Sequence, residues 1–194
     1  MKKVASFCFV ILLTSNLIGQ EFKISIIPTI NNLSFFKDDH FLYSKARFGV
    51  GLEADYLFTS DNKIRFGIGT GIQNNHVRVF ETIFGGGTLI TKPRVIITSF
   101  KFETYYFIND QMFVSFIPAL DYHFKHPKES IDDQTGLSLS FGLGNALKLR
   151  ENLLLSIEPR LTIHNIIPFK EKDVKYSLTT TGLRVGLAFG RKKN

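Results

Sequence analysis

Histidine is the side chain best suited to metal ligation and to proton transfer near neutral pH, and the sequence holds five: His40, His76, His123, His126 and His164. They are scattered. His123 and His126 flank one connection and offer two metal ligands, but read better as solvated loop residues. His164 has Ser and Glu residues within reach of a strand end, as the base of a lipid hydrolase would. No nucleophile can be matched to it. Cys8 is the single cysteine, which rules out a disulfide scaffold and a Cys-based zinc site. Gly67-Ile68-Gly69-Thr70-Gly71 alternates with the strand period and is not a phosphate-binding loop. These residues point to no catalytic site, no metal and no cofactor.

The elements that must position any site are strands. The chain has 194 residues, 44% of them apolar and 21% charged, with 20 Phe and no Trp. That is too apolar for a disordered chain. Met1-Lys2-Lys3, the apolar run Val4 to Leu13 and the polar stretch ending in Gly19-Gln20-Glu21 read as a secretory signal peptide over residues 1–20. Its removal takes away Cys8, Lys2 and Lys3 and leaves 22 basic against 17 acidic residues, a net +5. This charge is too mild, and too free of Arg/Lys runs, for a nucleic-acid partner. No later apolar run approaches the roughly 20 residues of a membrane-spanning helix.

From Phe22 onward the period is two. Phe48, Val50, Leu52, Ala54, Tyr56 and Phe58 share one face and Arg47, Gly49, Gly51, Glu53 and Asp55 the other. Ile64, Phe66, Ile68 and Ile72 oppose Arg65, Gly67, Gly69 and Gly71. The pattern recurs near residues 22–33, 96–108, 112–124, 137–149, 153–166 and up to Phe189. That makes eight segments of roughly 10 to 14 residues, whereas soluble strands average about 5 to 6 and tilted membrane-spanning strands need roughly 9 to 11. The connections alternate long and short. The short ones, at Thr59 to Lys63, Asn109 to Gln111 and Arg150 to Asn152, are polar turn residues. The long ones are Phe36 to Lys45, Asn75 to Arg94, Lys125 to Thr135 and Ile167 to Tyr176. Short turns on one side and long loops on the other are how outer-membrane barrels are built. The Asn75 to Arg94 hairpin, with Gly85-Gly86-Gly87 in its middle, is expected to extend beyond the membrane.

Which face is wet decides the class. A soluble lipocalin-like barrel is apolar inside, and a membrane barrel inverts that. Here the polar face is rich in Gly, Ser and Ala, which suit a crowded interior. The reading is an all-β, eight-stranded antiparallel up-and-down transmembrane β-barrel with a polar filled interior over residues 21–194, both termini periplasmic. Its inward polar set is Lys23, Arg47, Glu53, Asp55, Arg65, Lys101, Glu103, Asp121, Lys148, Glu158, Arg160 and Arg184. Hairpin register places Arg65 diagonal to Asp55 and Lys101 diagonal to Asp121, and paired networks are expected. Pro28, Pro118 and Pro159 fall on outward strand positions, where local bulges are expected.

Val95 to Phe107, then Asn109-Asp110 and Met112 to Tyr122, resemble a motif of the Bacteroidota outer-membrane β-barrel family of PorT type. There an aliphatic strand ends in Lys-Tyr-Tyr-Phe-like residues, a tight polar turn follows, and the next strand has a Gly-Pro-Tyr-like centre. Phe116-Ile117-Pro118-Ala119 corresponds to that centre without the Gly, and Ile97-Thr98-Ser99 stands where the family has Glu-Ile-Pro. The chain ends in Gly190 to Asn194 after Phe189 rather than in a terminal aromatic. The resemblance implies support of a secretion machine. Its expected partners are outer-membrane lipid and lipopolysaccharide, the barrel-assembly machinery, and an extracellular or secretion-system protein. The role expected is non-catalytic: loop-mediated binding, envelope structure or secretion support. The rivals are a lipid A-modifying hydrolase, which would employ His164, and a carrier of a small apolar ligand.

Overall fold

A computed structural model describes residues 20–35, 42–59, 63–83, 86–124, 133–169 and 176–190. The expected signal peptide lies almost entirely outside the described residues. Eleven strands and no helix occur among them. Eight form one closed antiparallel barrel: β1 (Gln20–Phe35), β3 (Arg47–Thr59), β4 (Ile64–His76), β7 (Arg94–Phe107), β8 (Met112–His123), β9 (Gly136–Arg150), β10 (Leu153–Pro168) and β11 (Tyr176–Gly190). Each pairs with its neighbour in the chain, and β1 closes the ring by pairing with both β3 and β11. Closure leaves no sheet edge, so the barrel's backbone groups find their partners within the wall.

The period-two pattern becomes two faces. The outward face carries Phe22, Ile24, Leu52, Phe66, Ile68, Phe102, Phe116, Leu143, Leu161 and Leu183, all exposed. The inward face is mostly small or polar along the middle of the barrel and apolar toward its two ends. This is the reverse of a soluble barrel, and it suits a surround of acyl chains. We call the two ends of the barrel by their connections. The turn end carries the short β3–β4, β7–β8 and β9–β10 connections, the start of β1 and the end of β11. At one of these turns Asn109 accepts hydrogen bonds from the backbone N–H groups of Gln111 and Met112 (2.9 and 2.7 Å), the Asx arrangement that such residues favour.

The loop end holds the part of the fold that the alternation did not reveal in full. β2 (Leu42–Lys45), β5 (Arg78–Ile83) and β6 (Gly86–Thr91) form a separate three-stranded sheet. β5 follows β4 with only Val77 between them. The sheet is tied to the barrel by the Ser44 hydroxyl, which donates to the Leu33 carbonyl and accepts from the Leu33 N–H, both at 3.0 Å. Val77 and Val79 close the loop end from within, packed against Leu33, Val95, Ile97 and Leu178. The turn end has its own apolar cluster of Leu57, Tyr105, Phe107 and Phe113.

The bulges expected at the prolines are absent. At Pro28 the ladder to β11 skips residues 27 and 28 and resumes in the same register, while the ladder to β3 is unbroken. Pro118 interrupts only the ladder to β7, and Pro159 only the ladder to β9. Each proline lacks one N–H, so it loses pairing on one side only. The neighbouring pairs hold the register. The barrel's irregularities lie in the β9–β10 ladder, between Leu153 and Leu154 and between Ile163 and Ile167, and the small sheet has one between Val79 and Phe80. The stretch from Ile163 to Ile167 contains Asn165 at φ 57, a left-handed conformation that asparagine tolerates better than most residues.

Candidate functional site

The middle of the lumen is a cluster of eight charged side chains. β1 supplies Lys23, β3 Glu53 and Asp55, β7 Lys101 and Glu103, β10 Glu158 and Arg160, and β11 Arg184, all buried. Four are cationic and four anionic, so the cluster is neutral. β4 and β9 supply glycine instead. A Cβ on Gly69 would collide with the Asp55 carboxylate, and one on Gly142 with Glu158 and with Ser115 Oγ at 2.6 Å. The glycines on the polar face thus clear the space that the carboxylates occupy. Conformational freedom is not why they are there.

Arg184 is the hub, with no exposed surface. Its Nη2 donates to Asp55 and, at 3.1 Å, to Glu103. Its Nη1 donates to the Tyr105 hydroxyl at 2.6 Å and to Glu158 at 3.4 Å. Its Nε lies 2.9 Å from Glu53 Oε2. Lys101 Nζ reaches Asp55 (2.7 Å), Glu53 (2.8 Å) and Glu103 (3.1 Å). Arg160 bridges Glu158 and Glu53 at 3.0 and 3.2 Å. The Tyr105 hydroxyl donates to Glu103 at 2.6 Å and accepts from Lys23 Nζ at 2.7 Å. Ser115 donates to Glu158 at 2.6 Å. Oxygens of Glu53, Asp55 and Glu103 all lie within 4.8 Å of one another, a spacing that would hold a cation. The cations seated there are Lys101 and Arg184. Ion pairs in such a dry interior are costly unless each charge is met from several sides, and here each carboxylate is.

The remaining inward residues of the sequence reading fall elsewhere. Arg65 pairs with Glu21 at 2.8 Å near the turn end. It faces Thr59 in register, two residues from the diagonal placement expected against Asp55. Lys101 faces Ala119, which leaves Asp121 on its diagonal as expected, facing Ser99. Asp121 accepts from Ser99 at 2.6 Å and pairs with His164 Nδ1 at 2.6 Å, so no Lys101–Asp121 pair forms. Arg47 starts β3 opposite Asn31 at the loop end, half-buried and away from the cluster. Lys148 is exposed at the turn end beside the Leu153/Leu154 bulge. Both therefore lie outside the interior network, one at each rim. Tyr105 and Ser115 join the network without having been singled out. Their signal was the parity that set both on the polar face.

Asp121, His164 and Thr180 stand in carboxylate–imidazole–hydroxyl order, with His164 Nε2 3.4 Å from Thr180 Oγ1. All three are buried inside the lumen, His164 at 1% exposure. The barrel wall separates them from its lipid-facing side. Of the loop histidines, His126 lies outside the described residues. His123 is buried and accepts from the Gln134 N–H at 3.1 Å. A small cavity of about 30 Å³ opens near the turn end between Lys23, Arg65, Tyr105 and Phe113. It is room for about one water molecule.

In sequence, the chain matches no family model and none of the curated proteins. Solved structures do resemble it. Neisserial surface protein A is 14% identical with a TM-score of 0.55, covering 87% of this chain and 96% of that one. The outer membrane protein OprG from Pseudomonas aeruginosa is 10% identical with a TM-score of 0.55, covering 91% and 98%. The outer membrane protein AlkL, solved in lipid bilayers, is 12% identical with a TM-score of 0.51, covering 90% of each. At these identities the likeness is one of fold, and the fold is that of the eight-stranded outer-membrane β-barrels.

Proposed function

We propose that this chain is an integral outer-membrane barrel with a closed lumen and no catalytic role, whose work is done at its loop end. The observation that carries the reading is the pairing of an apolar outer belt with an interior that neutralises itself, four cations against four carboxylates. Eight strands enclose a space that side chains can fill, and here they fill it at three levels: two apolar clusters with the charged layer between them. A carrier would need a continuous path, and a lipid hydrolase would need His164 on the lipid side of the wall. The loop end faces outward and the termini lie in the periplasm, as the long and short connections favour. The protein partner is an extracellular or secretion-system component. For the latter, the PorT-like motif of residues 95–122 is the support.

The experiment has two parts. The protein should fractionate with the outer membrane, and folded and boiled samples should migrate differently on a gel. Recovery as a soluble periplasmic monomer without detergent would refute the reading. Tags at Gly86 and at His126 should be reachable on intact cells, and tags at Asp110 and at Asp61 should not; His126 and Asp61 lie outside the described residues. Labelling at Asp110 before permeabilisation would reverse the orientation.

A further inference from the structure

Just above the apolar belt, one sector of the loop end is strongly cationic on its outward face. The last outward belt residue of β4 is Ile72, paired with Thr98. The next outward pairs are Asn74 with Ile96 and His76 with Arg94. The stripe then continues onto the small sheet. Val77 and Val79 are buried, so Arg78 between them points the opposite way, outward. Lys45 is its register partner, and its Nζ lies 4.9 Å over the Phe80 ring, on the same face. Lys92, exposed, stands between β6 and β7. Arg94 donates from Nε to Asn74 at 2.8 Å, which fixes its guanidinium over the top of the belt.

Two features set this patch apart from an ordinary solvated rim. First, among the described residues no carboxylate stands within ion-pair distance of Lys45, His76, Arg78, Lys92 or Arg94. Glu81, the acid of β5, stands three residues along the strand from Arg78, opposite Leu42. Second, the described outward residues at the loop end of two other strands are apolar: Phe124, just after β8, and Ile166, Ile167 and Phe169, at the end of β10, are all exposed. The patch also has a depth. Each two-residue step along a strand advances about 7 Å, so Ile72 to the His76–Arg94 pair is roughly 14 Å along the wall and about 10 Å in height at the usual strand tilt, with Arg78 beyond it on the small sheet. A bilayer's polar region is only about 5 to 8 Å deep on each side, so the cations reach beyond a phospholipid headgroup. They fit a tall, phosphate-bearing saccharide headgroup whose acyl chains lie against the belt. Guanidinium groups match phosphate oxygens in paired hydrogen bonds.

We propose that this outward sector of β4, β5 and β7 is a binding site for the phosphates of an anionic glycolipid of the outer leaflet, with Arg78, Arg94, Lys45 and Lys92 as the binding cations. The inference rests on the outer-membrane reading given above.

The test uses the full mature chain folded in detergent, with native mass spectrometry reading bound lipid. The probes are phosphorylated lipid A, the same lipid A after enzymatic dephosphorylation, and inorganic phosphate as a competitor. The phosphorylated form should bind at least roughly tenfold tighter, the order of effect that loss of a charge-assisted contact gives. Arg78→Gln with Arg94→Gln should abolish that preference, and Arg150→Gln, exposed at the turn end, should keep it. Equal binding of the two lipids, or an unchanged preference in the double variant, would overturn the site. Full competition by inorganic phosphate at matched concentration would also overturn it, since a lipid site needs the acyl chains. Gel mobility of folded and boiled samples is recorded in parallel. A chain that shows the folded shift but no phosphate preference refutes this site alone; a chain that never shows the shift refutes the barrel reading.

Discussion

Replacing Arg184 by methionine would remove the charge at the centre of the lumen while keeping most of the side-chain volume. Arg184 is fully buried and meets Asp55, Glu103, Glu158, Glu53 and Tyr105. Without it, four carboxylates face the three cations Lys23, Lys101 and Arg160, all of them buried. Breaking a buried ion network by removing one partner costs about 3 to 5 kcal/mol, mostly because the charges left behind are uncompensated. With a urea slope of about 2 kcal/mol per molar, the unfolding midpoint in detergent falls by roughly 2 M. The informative variant is the double one, Arg184→Met with Glu103→Gln. It restores neutrality, so it should lose less stability than the two single changes added together, with a coupling of about 1 to 3 kcal/mol. High salt should leave the effect in place, because burial shields the network from mobile ions. An unchanged midpoint for Arg184→Met would refute the reasoning. So would strict additivity in the double variant, which would mean that charge balance does not hold the lumen together.

Four further outcomes follow from the same geometry. Asp55→Ala, which strips a partner from both Lys101 and Arg184, should lower the urea midpoint more than Asp121→Ala, whose partners are Ser99 and His164; the reverse order would place the stabilising layer at the wrong height. Gly142→Val should destabilise by about 1 to 3 kcal/mol through overpacking against Glu158 and Ser115. Gly190→Val, whose nearest contact would be Glu21 Cγ at 3.4 Å, should stay close to the parent in the same denaturation series. In planar bilayers the unmodified protein should pass little current, and a large steady conductance would move the function toward transport.

The sequence carried the walls of this molecule and not the contacts across its interior. Parity assigns every residue of a strand to one of two faces, so the belt of Phe66, Phe102 and Leu143 and the inward Glu53, Lys101 and Arg184 follow from alternation alone. The tight turns then set neighbouring register to within two residues. What alternation cannot supply is who meets whom across the lumen. Arg184 and Asp55 are 129 positions apart and come together only because β1 closes the ring between β3 and β11. Hairpin geometry, which sees only adjacent strands, sets Arg65 diagonal to Asp55 and Lys101 diagonal to Asp121, and only the second register holds. The closed ring instead turns Arg65 to Glu21, near the start of β1, and gives Asp121 to His164. The small sheet at the loop end was only half visible, because β2 has four residues, too few for a period to declare itself.

The central claim is a barrel with lipid outside and a sealed polar interior, and spin labels placed one at a time along β8 test it most directly. Cys8 is the single cysteine of the sequence, so a chain produced from residue 21 accepts single introduced cysteines cleanly. Val114, Phe116 and Leu120 are exposed, whereas Ser115 and Ala119 are buried. In lipid vesicles, labels at Val114, Phe116 and Leu120 should be reached by oxygen dissolved in the bilayer and shielded from a water-soluble relaxer. Labels at Ser115 and Ala119 should be shielded from both. Access of the aqueous reagent to Ser115 and Ala119 would mean an open pore, and its access to Val114, Phe116 and Leu120 would mean that the belt does not face lipid at all.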